Sequence, residues 1–197
     1  MLTFKNFNIA DWFSFYRVVA APLLITLLWF NERELFTWFL LVSYCTDMID
    51  GQLARRLKIT SARGSQLDSL GDQITFIIGL IGLLVFETDF MKENGILIII
   101  AFTPYIIQML LAYSKYGKAT AFHTYLAKLS AIVQGVFILW ALFFGADYVL
   151  FYSMIVIGIL ETIEEIALIF MYNKWASDVK GVYWALHDKR RLKKKKT

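Results

Sequence analysis

Six stretches of mostly apolar residues follow one another along the chain, at residues 11–30, 35–54, 68–86, 95–113, 128–145 and 148–172, with short polar loops between them. A helix needs roughly 20 such residues to cross the hydrocarbon core of a bilayer, where every backbone N–H and C=O must be satisfied within the segment. The lengths therefore predict an all-α integral membrane protein with six transmembrane helices. Composition points the same way: of 197 residues, 58% are hydrophobic, and a mean hydropathy of +0.57 sets the soluble classes well behind. With only two prolines and eleven glycines and no internal repeat, flexible linkers are scarce. A single transmembrane domain over residues 1–175 is expected, followed by a tail over 176–197. The sole cysteine, Cys45, excludes an intramolecular disulfide and a cysteine-rich metal site.

Lys and Arg are retained on the cytoplasmic side of a membrane, so their distribution sets the orientation. Lys5, the group Arg55, Arg56, Lys58 and Arg63, the group Lys115, Lys118 and Lys128, and the C-terminal tail all fall on one side if six helices alternate. The opposite loops are NERE (31–34), ETDFMKEN (87–94) and GAD (145–147), with Arg33 and Lys92 as their basic members. Five or seven helices would scramble this pattern, so both termini are expected in the cytoplasm. The tail KRRLKKKK (189–196) carries seven basic residues and most of the concentrated positive charge behind the net +4. Beside a membrane helix such a run faces anionic headgroups, each residue contributing roughly 1 kcal/mol, and no nucleic-acid partner is expected. The opening FKNFNIADWF (4–13) alternates aromatic and polar residues, which predicts a short interfacial helix before the first span; it lacks the pattern of a removable signal peptide.

A charge at the centre of a membrane helix costs at least about 2.5 kcal/mol, so ionisable residues there are functional candidates. Asp47 and Asp50 are three apart near the inner end of the second stretch, and Asp68 and Asp72 are four apart at the start of the third. Both spacings put their carboxylates on one helix face, and antiparallel packing of the two helices would gather all four. Carboxylates at such range need a counter-charge, which a hard divalent cation with oxygen ligands supplies. A pair of ions could stabilise the attacking and leaving oxygens of a displacement. His123 and His187 are distant in sequence, and no zinc-type ligand set exists. Among the aspartates lie Gly51, Ala54 and Gly64, small enough for close backbone approach, and Arg55, a planar fork for phosphate.

The segment DMIDGQLARRLKITSARGSQLDSLGD (47–72) fits D-x2-D-G-x2-A-R-x8-G-x3-D-x3-D at each specified residue, and in this it resembles the CDP-alcohol phosphatidyltransferase family. The resemblance implies an enzyme in which an alcohol attacks the phosphatidyl phosphorus of a CDP-linked lipid and CMP departs. It implies that Asp47, Asp50, Asp68 and Asp72 hold metal, Mg²⁺ or Mn²⁺ and two ions, with Asp72 also the general base. Gly51, Ala54, Arg55, Gly64 and Asp68 would line the cytidine-diphosphate site. It further implies a homodimer, and a place in the bacterial inner membrane with the active site on the cytoplasmic side.

Arg17, Gln108, Gln134, Glu161, Glu164 and Glu165 are expected at the depth of the aspartates, which argues for one water-filled inner cavity. Arg17 is expected either to pair with Glu161 or Glu165 or to bind a phosphorylated acceptor. Lys128, near Ser130 at the start of the fifth stretch, is a second acceptor candidate, with a snorkelling lysine as the alternative. Glycerol 3-phosphate is the first-choice acceptor, because the first helix with its Asn8, Arg17 and Pro22 resembles that of phosphatidylglycerophosphate synthases. Inositol phosphate, serine, and diacylglycerol accepting CDP-choline or CDP-ethanolamine are the alternatives within the chemistry. A membrane transporter is the alternative outside it, and it would call for a two-fold repeat that the sequence lacks.

Overall fold

The computed structural model describes the backbone of residues 9–57, 62–177 and 179–187, and their side chains apart from 9–11, 13, 14, 48, 50–57 and 62–70. The described backbone is helical, with a single isolated bridge between Ala121 and Ser177. Its helices are α1 (Ile9–Trp29), α2 (Arg33–Leu57), α3 (Ala62–Phe86), α4 (Thr88–Glu93), α5 (Gly95–Tyr116), α6 (Tyr125–Phe144) and α7 (Tyr148–Met171), and residues 182–187 are helical as well. All six apolar stretches are thus helices. Several are longer than expected, since hydropathy marks the lipid-soluble part of a helix and not its end. Gln, Leu, Ala and Arg carry α2 on to Leu57 and start α3 at Ala62, because these residues favour helix in water as well. The short α4 forms where the sequence suggested only loop. From Ile9 onward the expected interfacial segment is continuous with α1; its first part lies outside the described residues, as does the basic run 189–196 of the tail.

α5 and α6 are long and apolar enough to cross a membrane, and α1 and α3 carry the shorter apolar runs Phe15–Trp29 and Gly71–Phe86. On α5, Ile96 is 76% exposed and Leu110 67%. A continuous exposed apolar surface of this kind is stable in lipid and not in water.

The chain divides into two compact units, Met1–Met91 with Ile138–Ala146, and Lys92–Phe137 with Asp147–Thr197. In the first, α1 packs on both α2 and α3 around Ala20, Ala21, Leu24, Phe36, Leu40, Ile78 and Leu83. Gly82 makes room for the Phe36 ring, which a Cβ there would meet at 2.5 Å, and Gly79 lies beside the Tyr44 hydroxyl, 3.1 Å from where its Cβ would be. These pairs run in opposite directions along the two helices, so α2 and α3 are antiparallel. Arg33 closes one end: it donates to the carbonyls of Ala141 (2.9 Å) and Leu142 (2.8 Å) in the last turn of α6 and pairs with Glu87. Carbonyls of a last turn lack the next turn's N–H groups, although Ala141 O also accepts from Gly145 N–H at 2.9 Å just past the helix end. Arg33→Ala is therefore expected to cost about 1–3 kcal/mol, the lower part if solvent screens the Glu87 pair. Thermal denaturation in detergent reads this, and an unchanged Tm would contradict it.

In the second unit α5 packs on α7, with a core of Ala112, Phe122, Leu168, Ile169 and Ala185. The chain after α7 returns along the α5–α6 connection: Val179 N–H donates to Phe122 O (2.7 Å), Tyr125 N–H to Lys180 O (3.3 Å), and the Trp175 indole to Ala119 O (3.1 Å). Val179, Val182 and Ala185, which the sequence places in the tail, pack on this core. Asp147 caps the start of α7: its carboxylate accepts from Leu150 N–H at 2.9 Å, a side-chain cap of the usual kind.

Candidate active site

Arg17 lies on the face of α1 that meets α2 and α3, and it is 1% exposed. Its Nη1 donates to Asp47 Oδ1 on α2 at 2.6 Å and also to Asp72 Oδ1 on α3. A single guanidinium nitrogen thus draws together an aspartate from each of the two spacing pairs. Gly71 permits it: a Cβ at that position would lie 3.3 Å from Arg17 Cζ and 3.4 Å from Nε, so a larger residue would push the guanidinium away from the aspartate that follows it. Asp47 and Asp72 remain partly exposed, at 39% and 48%, as groups that must meet a substrate do.

The sequence reading offered Arg17 a glutamate or an acceptor phosphate as partner; the structure gives it Asp47 and Asp72. Glu165 is held instead within its own unit, accepting from the Gln108 amide and the Thr120 hydroxyl, each at 2.7 Å. Glu164 Oε1 accepts from Val182 N–H at 3.2 Å, and Gln134 donates to Ser130 at 3.0 Å. Glu164 and Glu165 of α7 and Gln108 of α5 thus tie the connection after α5 and the chain after α7 to their helices, while Glu161 accepts from the neighbouring Thr162 hydroxyl at 3.5 Å.

Asp50, Gly51, Ala54, Arg55, Gly64 and Asp68 lie on the helical backbone of α2 and α3, and their side chains are outside the described residues. Among the described residues no three His, Cys, Asp or Glu side chains gather in a metal-binding group. Asp47 and Asp72 nevertheless converge on one cationic nitrogen, and an all-oxygen donor pair that close suits a hard divalent cation.

Lys128 lines a cavity of about 210 Å³ with His123, Tyr125 and Lys180. It opens α6, whose first turn Thr124 caps by accepting from Ala127 N–H at 3.0 Å. His123 takes a left-handed backbone conformation, φ 52°, uncommon outside glycine. Neither His123 nor Lys180 was marked by the sequence as a site residue. Lys180 reaches the cavity through the backbone pairing of residues 179–180 with 122–125, for which no motif gives notice.

The backbone thus carries the spaced aspartates on the antiparallel helices α2 and α3 of an all-helical chain with long apolar helices. The chain belongs to the CDP-alcohol phosphatidyltransferase family, whose model matches residues 7–173, and is a membrane transferase of phospholipid biosynthesis. It is 24% identical over 130 residues to the CDP-diacylglycerol–glycerol-3-phosphate 3-phosphatidyltransferase of Rickettsia typhi, covering 64% of this chain and 71% of that protein. The enzyme of the same name from Rickettsia prowazekii is 24% identical over 64% of this chain and 70% of its own length. A Schizosaccharomyces pombe fusion protein of cardiolipin synthase (CMP-forming) and a mitochondrial hydrolase is 32% identical over 82 residues, 42% of this chain and 14% of that protein.

Proposed function

We propose that the enzyme transfers the phosphatidyl group of CDP-diacylglycerol to glycerol 3-phosphate and releases CMP. The observation that carries this is the convergence of Asp47 and Asp72, from the two halves of the aspartate segment, on Arg17. The names of the Rickettsia relatives support glycerol 3-phosphate as acceptor.

In this reading Asp47, Asp50, Asp68 and Asp72 hold Mg²⁺ or Mn²⁺, two ions, which when bound neutralise the diphosphate and make CMP a better leaving group. Asp72 accepts the proton of the acceptor hydroxyl as its oxygen bonds to the lipid-side phosphorus, and the bond from that phosphorus to the CMP oxygen breaks. Gly51, Ala54, Arg55, Gly64 and Asp68 line the cytidine-diphosphate site, and Arg55 takes its phosphate oxygens. Lys128, with Lys180 and His123 around the same cavity, binds the acceptor's phosphate. An acceptor screen tests the assignment: CDP-diacylglycerol is offered with glycerol 3-phosphate, inositol phosphate or serine, and separately diacylglycerol with CDP-choline. The expected product is phosphatidylglycerophosphate, identified by mass; a preferred product from any other acceptor would overturn it.

The same reading has six spanning helices, both termini and the active site on the cytoplasmic side of a bacterial inner membrane, a homodimer, and the basic tail on anionic headgroups. The loop charges support the orientation. Single cysteines introduced at residues 3 and 197 in a C45A background are expected to resist a membrane-impermeant thiol reagent applied to intact cells; labelling of either one refutes the topology.

A further inference from the structure

Two carboxylates that approach one nitrogen repel each other in the absence of a cation, and the repulsion is strongest where the dielectric is low. Arg17 supplies a cation that the chain itself carries, since a guanidinium stays protonated in proteins. It is buried at 1%, its Nη1 is bonded to both Asp47 and Asp72, and Gly71 leaves the space its Cζ and Nε occupy. Through it α1 is tied to α2 and α3, the two helices on which it packs.

We propose that Arg17 is a positioning residue, the resident counter-cation of the aspartate site. It keeps Asp47 and Asp72 together when no metal is bound, and it shares their charge with a divalent cation when one is. This rests on the reading of those aspartates as metal ligands. Arg17 and the metal are then negatively coupled, because each lowers the charge available to the other, and such coupling acts equally in both directions. An arginine that bound the acceptor's phosphate would carry no such coupling in the absence of acceptor.

The test is thermal unfolding of the detergent-solubilised full chain, titrated with Mn²⁺ alone after chelation. Relative to wild type, R17Q is expected to have a lower Tm in chelator, a larger rise in Tm on adding Mn²⁺, and a half-maximal Mn²⁺ concentration lower by about 5-fold or more. R17K, which keeps the charge, is expected to titrate near wild type, and it serves as the comparison if R17Q is too unstable in chelator. A loss of Tm in R17Q that is the same with and without Mn²⁺ would make Arg17 a packing residue and overturn the proposal. An unchanged Mn²⁺ titration with a raised KM for glycerol 3-phosphate would make it an acceptor ligand and overturn the proposal as well. Failure of the reading beneath it looks different: wild type itself would then show no Mn²⁺-dependent rise in Tm.

Discussion

Asp72→Asn should lower turnover by about 10² to 10⁴-fold, the range for loss of a positioned base, while binding of CDP-diacylglycerol is retained. The substitution keeps the volume and removes the charge that collects the acceptor's proton. It also replaces the carboxylate–guanidinium pair with Arg17 by a weaker bond in which only the guanidinium is charged. A modest drop in Tm is therefore expected beside the kinetic effect, since such bonds contribute about 1.5–3 kcal/mol. CMP formation at saturating metal and both substrates separates the two effects. Near-wild-type turnover would remove Asp72 from its role, whatever the change in Tm.

The second large effect is expected at the basic cavity of the other unit. Lys128 and Lys180 line it with His123 and Tyr125, and replacing both lysines with glutamine removes two cations from around one phosphate. With each charge-assisted bond contributing about 1.5–3 kcal/mol, the KM for glycerol 3-phosphate should rise at least about 10-fold in K128Q/K180Q. The KM for CDP-diacylglycerol should stay near its wild-type value. An unchanged acceptor KM would take the acceptor's phosphate away from this cavity. A rise in both constants together would indicate a general disturbance of the fold, and would equally count against the assignment.

The helices were legible because a membrane imposes a length on apolar runs, and every such run in the chain is helical. Their ends were not, because lipid selects for hydropathy and water does not end a helix: Leu57, Ala62 and Tyr116 lie beyond the apolar limits. The aspartate segment was legible because helical spacing of three and four puts carboxylates on one face. The partner of Arg17 was not. Asp47 and Asp72 stand 30 and 55 residues away from it, and a shared depth in the membrane fits a glutamate of α7 as well as an aspartate of α2 or α3. Packing decides between them, and the small Gly71 beside Asp72 is the one sequence trace of that decision. Lys180 was hidden for a related reason. Residues past the last apolar run read as a solvated tail, while Val179 and Ala185 bring that segment back onto α5 and α7.

The central claim is that the aspartate segment carries phosphatidyl transfer in this chain, and stoichiometry tests it most directly. Purified protein is incubated with CDP-diacylglycerol, glycerol 3-phosphate and Mg²⁺ or Mn²⁺, and CMP and phosphatidylglycerophosphate are measured in the same sample. The account predicts that the two products appear in equal amounts, that neither forms when the acceptor is omitted or the metal chelated, and that both are lost together in Asp72→Asn. CMP released without a matching lipid product, or lipid formed undiminished in the presence of chelator, would contradict it.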